Sequence, residues 1–212
     1  MIYNETSLIL KTGYKCVALS AGLVLLMVLL DGDIFALLAM FLFLMTLWAY
    51  RNPERVPPRN EEKTLVSVAD GRIKSVTLLP STEGKERFEI VIKSSCLDAS
   101  ILRAPFSARV QAVHNYSGAR LSASSPLASK LNAQSHLVFT CEGAEVEVVH
   151  TLQITPKAIM NDLNRDAHVV QGMRYGVMLK GETSIYLPKT ARVAVNRGDK
   201  VRAGETILGL LA

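Results

Sequence analysis

Hydrophobic and polar positions divide the chain into two regimes. From Cys16 to Leu30 and again from Ile34 to Tyr50 apolar residues run on without a charge, and only Asp31-Gly32-Asp33 interrupts them. From Leu65 onward, short β-branched stretches alternate instead with Gly, Pro, Asn and Ser. The first regime predicts two apolar helices in a hairpin. Runs of 15 and 17 residues would rise about 23 and 26 Å, slightly less than a hydrocarbon core of roughly 30 Å. Tyr14, Trp48 and Tyr50 at their ends can make up the difference at the membrane interface. Residues 1–50 are therefore read as a membrane-anchoring hairpin.

The second regime predicts a mainly β body over residues 65–212. Strands are expected at Leu65–Ser67, Arg72–Leu79, Phe88–Ile92, Arg109–His114, Leu137–Thr140, Val146–Leu152, Val169–Leu179, Ser184–Leu187, Arg192–Val195 and Thr206–Leu210. One short helix is expected around Pro156 to Leu163, where a proline suits the first turn. Within Gln171–Pro188, glycines at 172, 176 and 181 set off the runs Tyr175–Leu179 and Ile185–Leu187 as strand, tight turn and strand. Pro105-Phe106-Ser107-Ala108-Arg109-Val110 and Pro188-Lys189-Thr190-Ala191-Arg192-Val193 share a Pro-x-x-Ala-Arg-Val pattern, which predicts a sheet of two similar halves.

Between anchor and body, residues 51–64 form a proline-stiffened linker that opens Arg51-Asn52-Pro53-Glu54-Arg55-Val56-Pro57-Pro58. Charge adds orientation. Lys11 and Lys15 precede the hairpin and Arg51 and Arg55 follow it, while its loop holds only aspartates, so the body is expected on the cytoplasmic side of an inner or plasma membrane. A cleaved signal peptide is a poor alternative, because no small-residue cleavage site precedes the second apolar run.

Of the net +5, residues 51–212 carry +6, which favours anionic lipid surfaces. Nucleic acid is not expected, for want of a basic run, a stacking motif or a zinc finger. Three cysteines without a CxxC pair indicate neither a disulfide framework nor a cysteine zinc site, and the four histidines show no ligand spacing, so no metal is expected.

Several stretches together resemble the short, membrane-anchored phosphatidylserine decarboxylases. The Arg-x-Pro-x-Arg-x-x-Pro linker, Val66-Ser67-Val68-Ala69-Asp70-Gly71, Leu97-Asp98-Ala99-Ser100-Ile101-Leu102-Arg103-Ala104-Pro105 and Tyr186-Leu187-Pro188 occur in the family's order. The C-terminal Val195–Glu205 run is similar to the hairpin of lipoyl-type barrel-sandwich domains, and the resemblance implies barrel-sandwich character for the body. A carrier domain would need an exposed lysine between hydrophobic neighbours, and Lys180 is the nearest candidate.

In that family a serine after glycine attacks the preceding carbonyl, and the resulting ester eliminates to leave a pyruvoyl group. The pyruvoyl carbonyl then serves as the electron sink for decarboxylation. The resemblance gives Asp70 a part in self-cleavage, and it implies a head-group pocket near Asp98, Ser100, Arg103 and Gly181. Two family positions differ here. The serine falls at Glu182 when the chain is aligned on Gly172 and Gly176, and at Gly181 when aligned on Tyr186-Leu187-Pro188; the histidine two residues after Asp98 is Ser100. A serine hydroxyl cannot exchange a proton at neutral pH as an imidazole can.

The chain is accordingly read as a family member that does not self-process and carries no cofactor, an aminophospholipid-binding or scaffolding pseudoenzyme. The alternative is an active pyruvoyl enzyme making phosphatidylethanolamine, with Ser184 as a displaced cleavage serine beside Thr183; a structural subunit of a membrane assembly is a third reading. Of the histidines, His150 alone lies in a strand expected to border the site. Self-association into a homo-oligomer is implied by resemblance only.

Overall fold

The computed structural model describes residues 7–30, 32–58, 63–80, 86–141, 143–155 and 158–211. They fall into two compact units, one ending at Glu54 and the other beginning at Arg55. In the first, a short 3-10 turn leads into α1 (Tyr14–Leu29), and α2 (Asp33–Ala49) packs back against it. Asp33 in the first turn of α2 suits the positive end of that helix. Backbone bonds from Leu10 to Tyr50 (3.0 Å) and from Asn52 to Leu8 (2.9 Å) tie the open end of the hairpin. Gly13 is needed there, since a Cβ would lie 2.5 Å from the Tyr50 ring.

Both helices are apolar all round and leave Leu19, Leu25, Leu29, Phe35, Leu37 and Phe41 exposed, a surface that suits lipid rather than water. Among the described residues, Lys11–Leu29 is the one helical stretch long and apolar enough to cross a membrane, and α2 is shorter.

The body is mainly β, as expected. Its strands are β1 (Thr64–Val66), β2 (Gly71–Leu79), β3 (Arg87–Ser94), β4 (Ile101–Arg103), β5 (Ala108–Tyr116), β6 (Gln134–Cys141) and β7 (Ala144–Leu152). Then come β8 (Met160–Asn161), β9 (His168–Val169), β10 (Arg174–Val177), β11 (Gly181–Pro188), β12 (Arg192–Val193), β13 (Lys200–Val201) and β14 (Ile207–Leu210). Eight of them form one sheet in the order β13-β2-β3-β11-β7-β6-β5-β9, and two three-stranded sheets, β1-β14-β12 and β4-β10-β8, complete the body.

Alternation sets the faces. Along β11, Gly181, Thr183, Ile185 and Leu187 are buried while Glu182, Ser184, Tyr186 and Pro188 are half-buried. Of the inward residues, Ile185 and Leu187 join Ile90, Ile92, Phe106, Leu137, Phe139, Val148 and Tyr175 in one core. Each such side chain taken fully from water contributes about 1.5–3 kcal/mol, so the sheet's curl around this core dominates the body's stability.

Three expectations fail. Among the described residues of Pro156–Leu163 there is no helix: Met160–Asn161 is a strand paired with β10, and Asn161 spends its side chain on Ser135 Oγ (3.2 Å) and the Leu163 amide (2.9 Å). Gly176 permits that pairing, because a Cβ there would sit 2.6 Å from the Met160 carbonyl. Pro156 itself lies outside the described residues. The body's short helix is instead α3 (Ala128–Leu131). The run Val169–Leu179 is not one strand, since Gly172 at φ 76° turns the chain between β9 and β10. The Pro-x-x-Ala-Arg-Val repeat does not mark two equivalent halves either: its first copy enters β5 in the large sheet and its second enters β12 in a small one.

Candidate active site

Gly181 opens the central strand of the large sheet, opposite Ser94 on β3 and Leu152 on β7. A Cβ here would meet the Thr151 carbonyl at 2.5 Å and the Met178 sulfur at 2.6 Å, so only glycine fits. The turn Met178-Leu179-Lys180 joins it to β10, and the Met178 amide donates to the Ser100 carbonyl (2.8 Å). Ser100 is thereby fixed against the turn that leads to Gly181. Lys180 is half-buried, and its carbonyl accepts from the Gln153 amide (3.2 Å), unlike the projecting lysine of a carrier hairpin.

Arg103 lies on β4, opposite Arg174, with 4% of its surface exposed. Its Nη1 donates to the Gly172 carbonyl (2.9 Å), and its stem approaches Gly204, where a Cβ would come within 2.8 Å of it. Asp98 keeps its carboxylate for its own loop, accepting from the Ser95 amide and hydroxyl, both at 2.9 Å. Asp70 is held in a buried fork by Arg55: Nη2 donates to Oδ2 at 2.6 Å, Nη1 donates to Oδ1, and the Ala203 amide adds a bond of 2.7 Å. Its backbone carbonyl accepts from the Ser94 hydroxyl (2.6 Å), which places the Asp70-Gly71 turn one strand from Gly181.

The structure thus gathers Asp70, Ser100 and Gly181 around the start of β11, whereas the Asp98 carboxylate is occupied locally. Arg55, the last arginine of the linker motif, is the partner of Asp70 that sequence did not anticipate. A carboxylate sharing both oxygens with a guanidinium is well placed to hold the linker and poorly placed to act as a base.

Of the two positions expected above to align with the cleavage serine, Gly181 has no side chain, and Glu182 is bound by Lys74 Nζ at 2.8 and 3.0 Å. These two residues do not fit the making of a pyruvoyl group there. The next two carry hydroxyls on opposite faces. Ser184 is half-buried and paired with Val91 and Val149 on its two sides.

Thr183 is fully buried with Oγ1 2.9 Å from His150 Nδ1, and His150 Nε2 is 2.7 Å from the Tyr175 hydroxyl. Burial, helped by repulsion from His136, lowers the His150 pKa to about 3, so its imidazole is neutral at pH 7. Burial likewise raises the Tyr175 phenol well above its usual value, and all three groups are uncharged. The phase of β7 was the available signal: Val146, Val148, His150 and Leu152 share one inward face. A groove of about 840 Å³ lined by Ser75, Phe88, Arg192 and Arg197 holds none of these residues.

An apolar hairpin, a β body, and a glycine-led strand beside the Asp-Gly and Arg-Ala-Pro segments define a class of membrane-associated β proteins built around one tight strand junction. The family profile described as phosphatidylserine decarboxylase matches residues 42–209. Over 98% of its length the chain is 31% identical to a phosphatidylserine decarboxylase proenzyme from Pelobacter propionicus, covering 99% of that protein. It is 32% and 33% identical, at the same coverage, to those named from Geobacter metallireducens and Geobacter sulfurreducens. No solved structure matches it. The chain belongs to the phosphatidylserine decarboxylase family.

Proposed function

We propose that this protein works in phospholipid metabolism as a membrane-associated carboxy-lyase acting on phosphatidylserine, matured by self-cleavage at a hydroxyl displaced from the family position. The observation that carries this reading is the extent of the likeness: the relatives named as proenzymes match over 98% of this chain and 99% of their own length. Ser100, Arg103 and Gly181 would shape the head-group side of the pocket, with Asp70 holding the linker in place. The body is proposed to face the cytoplasm, on the charge pattern flanking the apolar hairpin.

A second reading has its own observation. Gly181 and Glu182 offer no hydroxyl at the family's scissile bond, which favours an unprocessed chain that binds aminophospholipid or scaffolds other proteins. Mass measurement under denaturing conditions separates the two. Two fragments with a blocked N-terminus on the smaller, together with carbon dioxide release from phosphatidylserine, are the results expected of the enzyme. One intact chain of 23.2 kDa that releases none is the result expected of the second reading.

A further inference from the structure

Three buried groups are left unused by the readings above: the Thr183 hydroxyl, the His150 imidazole and the Tyr175 phenol, linked in a line by contacts of 2.9 and 2.7 Å. All three residues are fully buried in the body. We infer that Thr183, with His150 as its base, is the self-cleaving nucleophile of this chain, and that the group it leaves is 2-oxobutanoyl rather than pyruvoyl. The inference rests on the enzymatic reading above.

The choice between the two displaced hydroxyls is geometric. Ser184 lies on the half-buried face of β11, and Tyr186 on the same face donates its hydroxyl to Glu89 (2.9 Å). Thr183 lies on the inward face, with an imidazole nitrogen at hydrogen-bond distance and a phenol behind that imidazole, the nucleophile–base–orienter order that activates a hydroxyl. The His150 Nδ1 stands 2.9 Å from Thr183 Oγ1 with Nε2 against the Tyr175 oxygen, and since burial opposes a standing imidazolium its part is to relay the proton onward to the leaving amine as it receives it. Thr183 is also the residue immediately after Glu182, one step from where the upstream glycines align the family hydroxyl.

The chemistry balances with water as the only co-reactant. Thr183 Oγ1 attacks the Glu182 carbonyl carbon as its proton passes to His150 Nδ1. The peptide C–N bond breaks, the amine takes that proton, and an ester joins Glu182 to Oγ1. The Thr183 α-proton passes to water as the Cβ–Oγ1 bond breaks, which expels Glu182 as a carboxylate and leaves a 2-aminobutenoyl end. Its imine tautomer is hydrolysed by water to the 2-oxobutanoyl group and ammonia. No oxidant or reductant is required.

The test is intact-mass and fragment analysis of the full chain in detergent, beside Thr183→Ser, Thr183→Val and His150→Gln. The expected result is a cut between Glu182 and Thr183 in the wild type, with a keto end one methylene heavier than pyruvoyl. Thr183→Ser should cut at the same bond and yield pyruvoyl, Thr183→Val should stay whole, and His150→Gln should cut at least ten-fold more slowly. A structural role for Thr183 cannot produce the change of end group. Cleavage between Thr183 and Ser184 with a pyruvoyl end on Ser184 would overturn the inference and leave the enzymatic reading standing. An uncut wild type that releases no carbon dioxide would overturn that reading, and the inference with it.

Discussion

His150 is buried neutral, with its pKa lowered to about 3 by desolvation first and by His136 second. In the unfolded chain the same imidazole binds a proton below about pH 6.5. The unfolded state therefore takes up more protons between those values, and stability, complete above pH 6.5, falls as the pH drops toward 3 at about 1.4 kcal/mol per unit. His150→Gln removes the titration together with the Thr183 and Tyr175 bonds. It should be less stable by about 1–3 kcal/mol at pH 7, and urea titrations should show the gap narrowing by pH 5; equal losses in both proteins would show that His150 is not the group responsible.

Gly181 poses a harder constraint, because the obstacle is backbone. A Cβ lying 2.5 Å from the Thr151 carbonyl has to push β7 away from β11. Gly181→Ala is expected to cost about 1–3 kcal/mol, the range of overpacked cores, read as a lower urea midpoint. The motif around this glycine was visible in the sequence. Its reason was not, since Thr151 is remote along the chain.

At the scale of elements, a buried ion pair between Arg55 and Asp70 fastens the linker to the body. Asp70→Asn or Arg55→Met leaves its partner charged and enclosed, and either change should destabilise by about 3–5 kcal/mol. Replacing both together should restore part of that loss, measurable as a double-mutant cycle. If the single changes prove neutral, the Arg55–Asp70 fork does not hold the linker.

Strand positions were legible wherever one face alternates, as in β2 and β11. The two-residue strands β8 and β9 were not, for they carry too few positions to show a period and exist only because a partner edge is available. The helix expected at Pro156–Leu163 failed for that reason. The backbone of Met160–Asn161 found partners across Gly176 that a local pattern cannot display.

For the whole molecule, the two units imply that the β body owes its fold to its own core. Residues 55–212 expressed without the apolar hairpin should remain soluble without detergent and keep a β-type circular dichroism spectrum. Aggregation of that fragment in the absence of detergent would show instead that the body depends on the hairpin.

The amino-acid order alone determined the apolar hairpin, the β character of the body and the family, because each is written in local periodicity or in short contiguous motifs. Only the folded chain decided which groups meet. Thr183, His150 and Tyr175 are brought together by the pairing of β11 with β7 and by the packing of β10 against the same core, and Asp70 meets Arg55 in the same way. Such contacts depend on strand order and register, which a one-dimensional pattern does not encode.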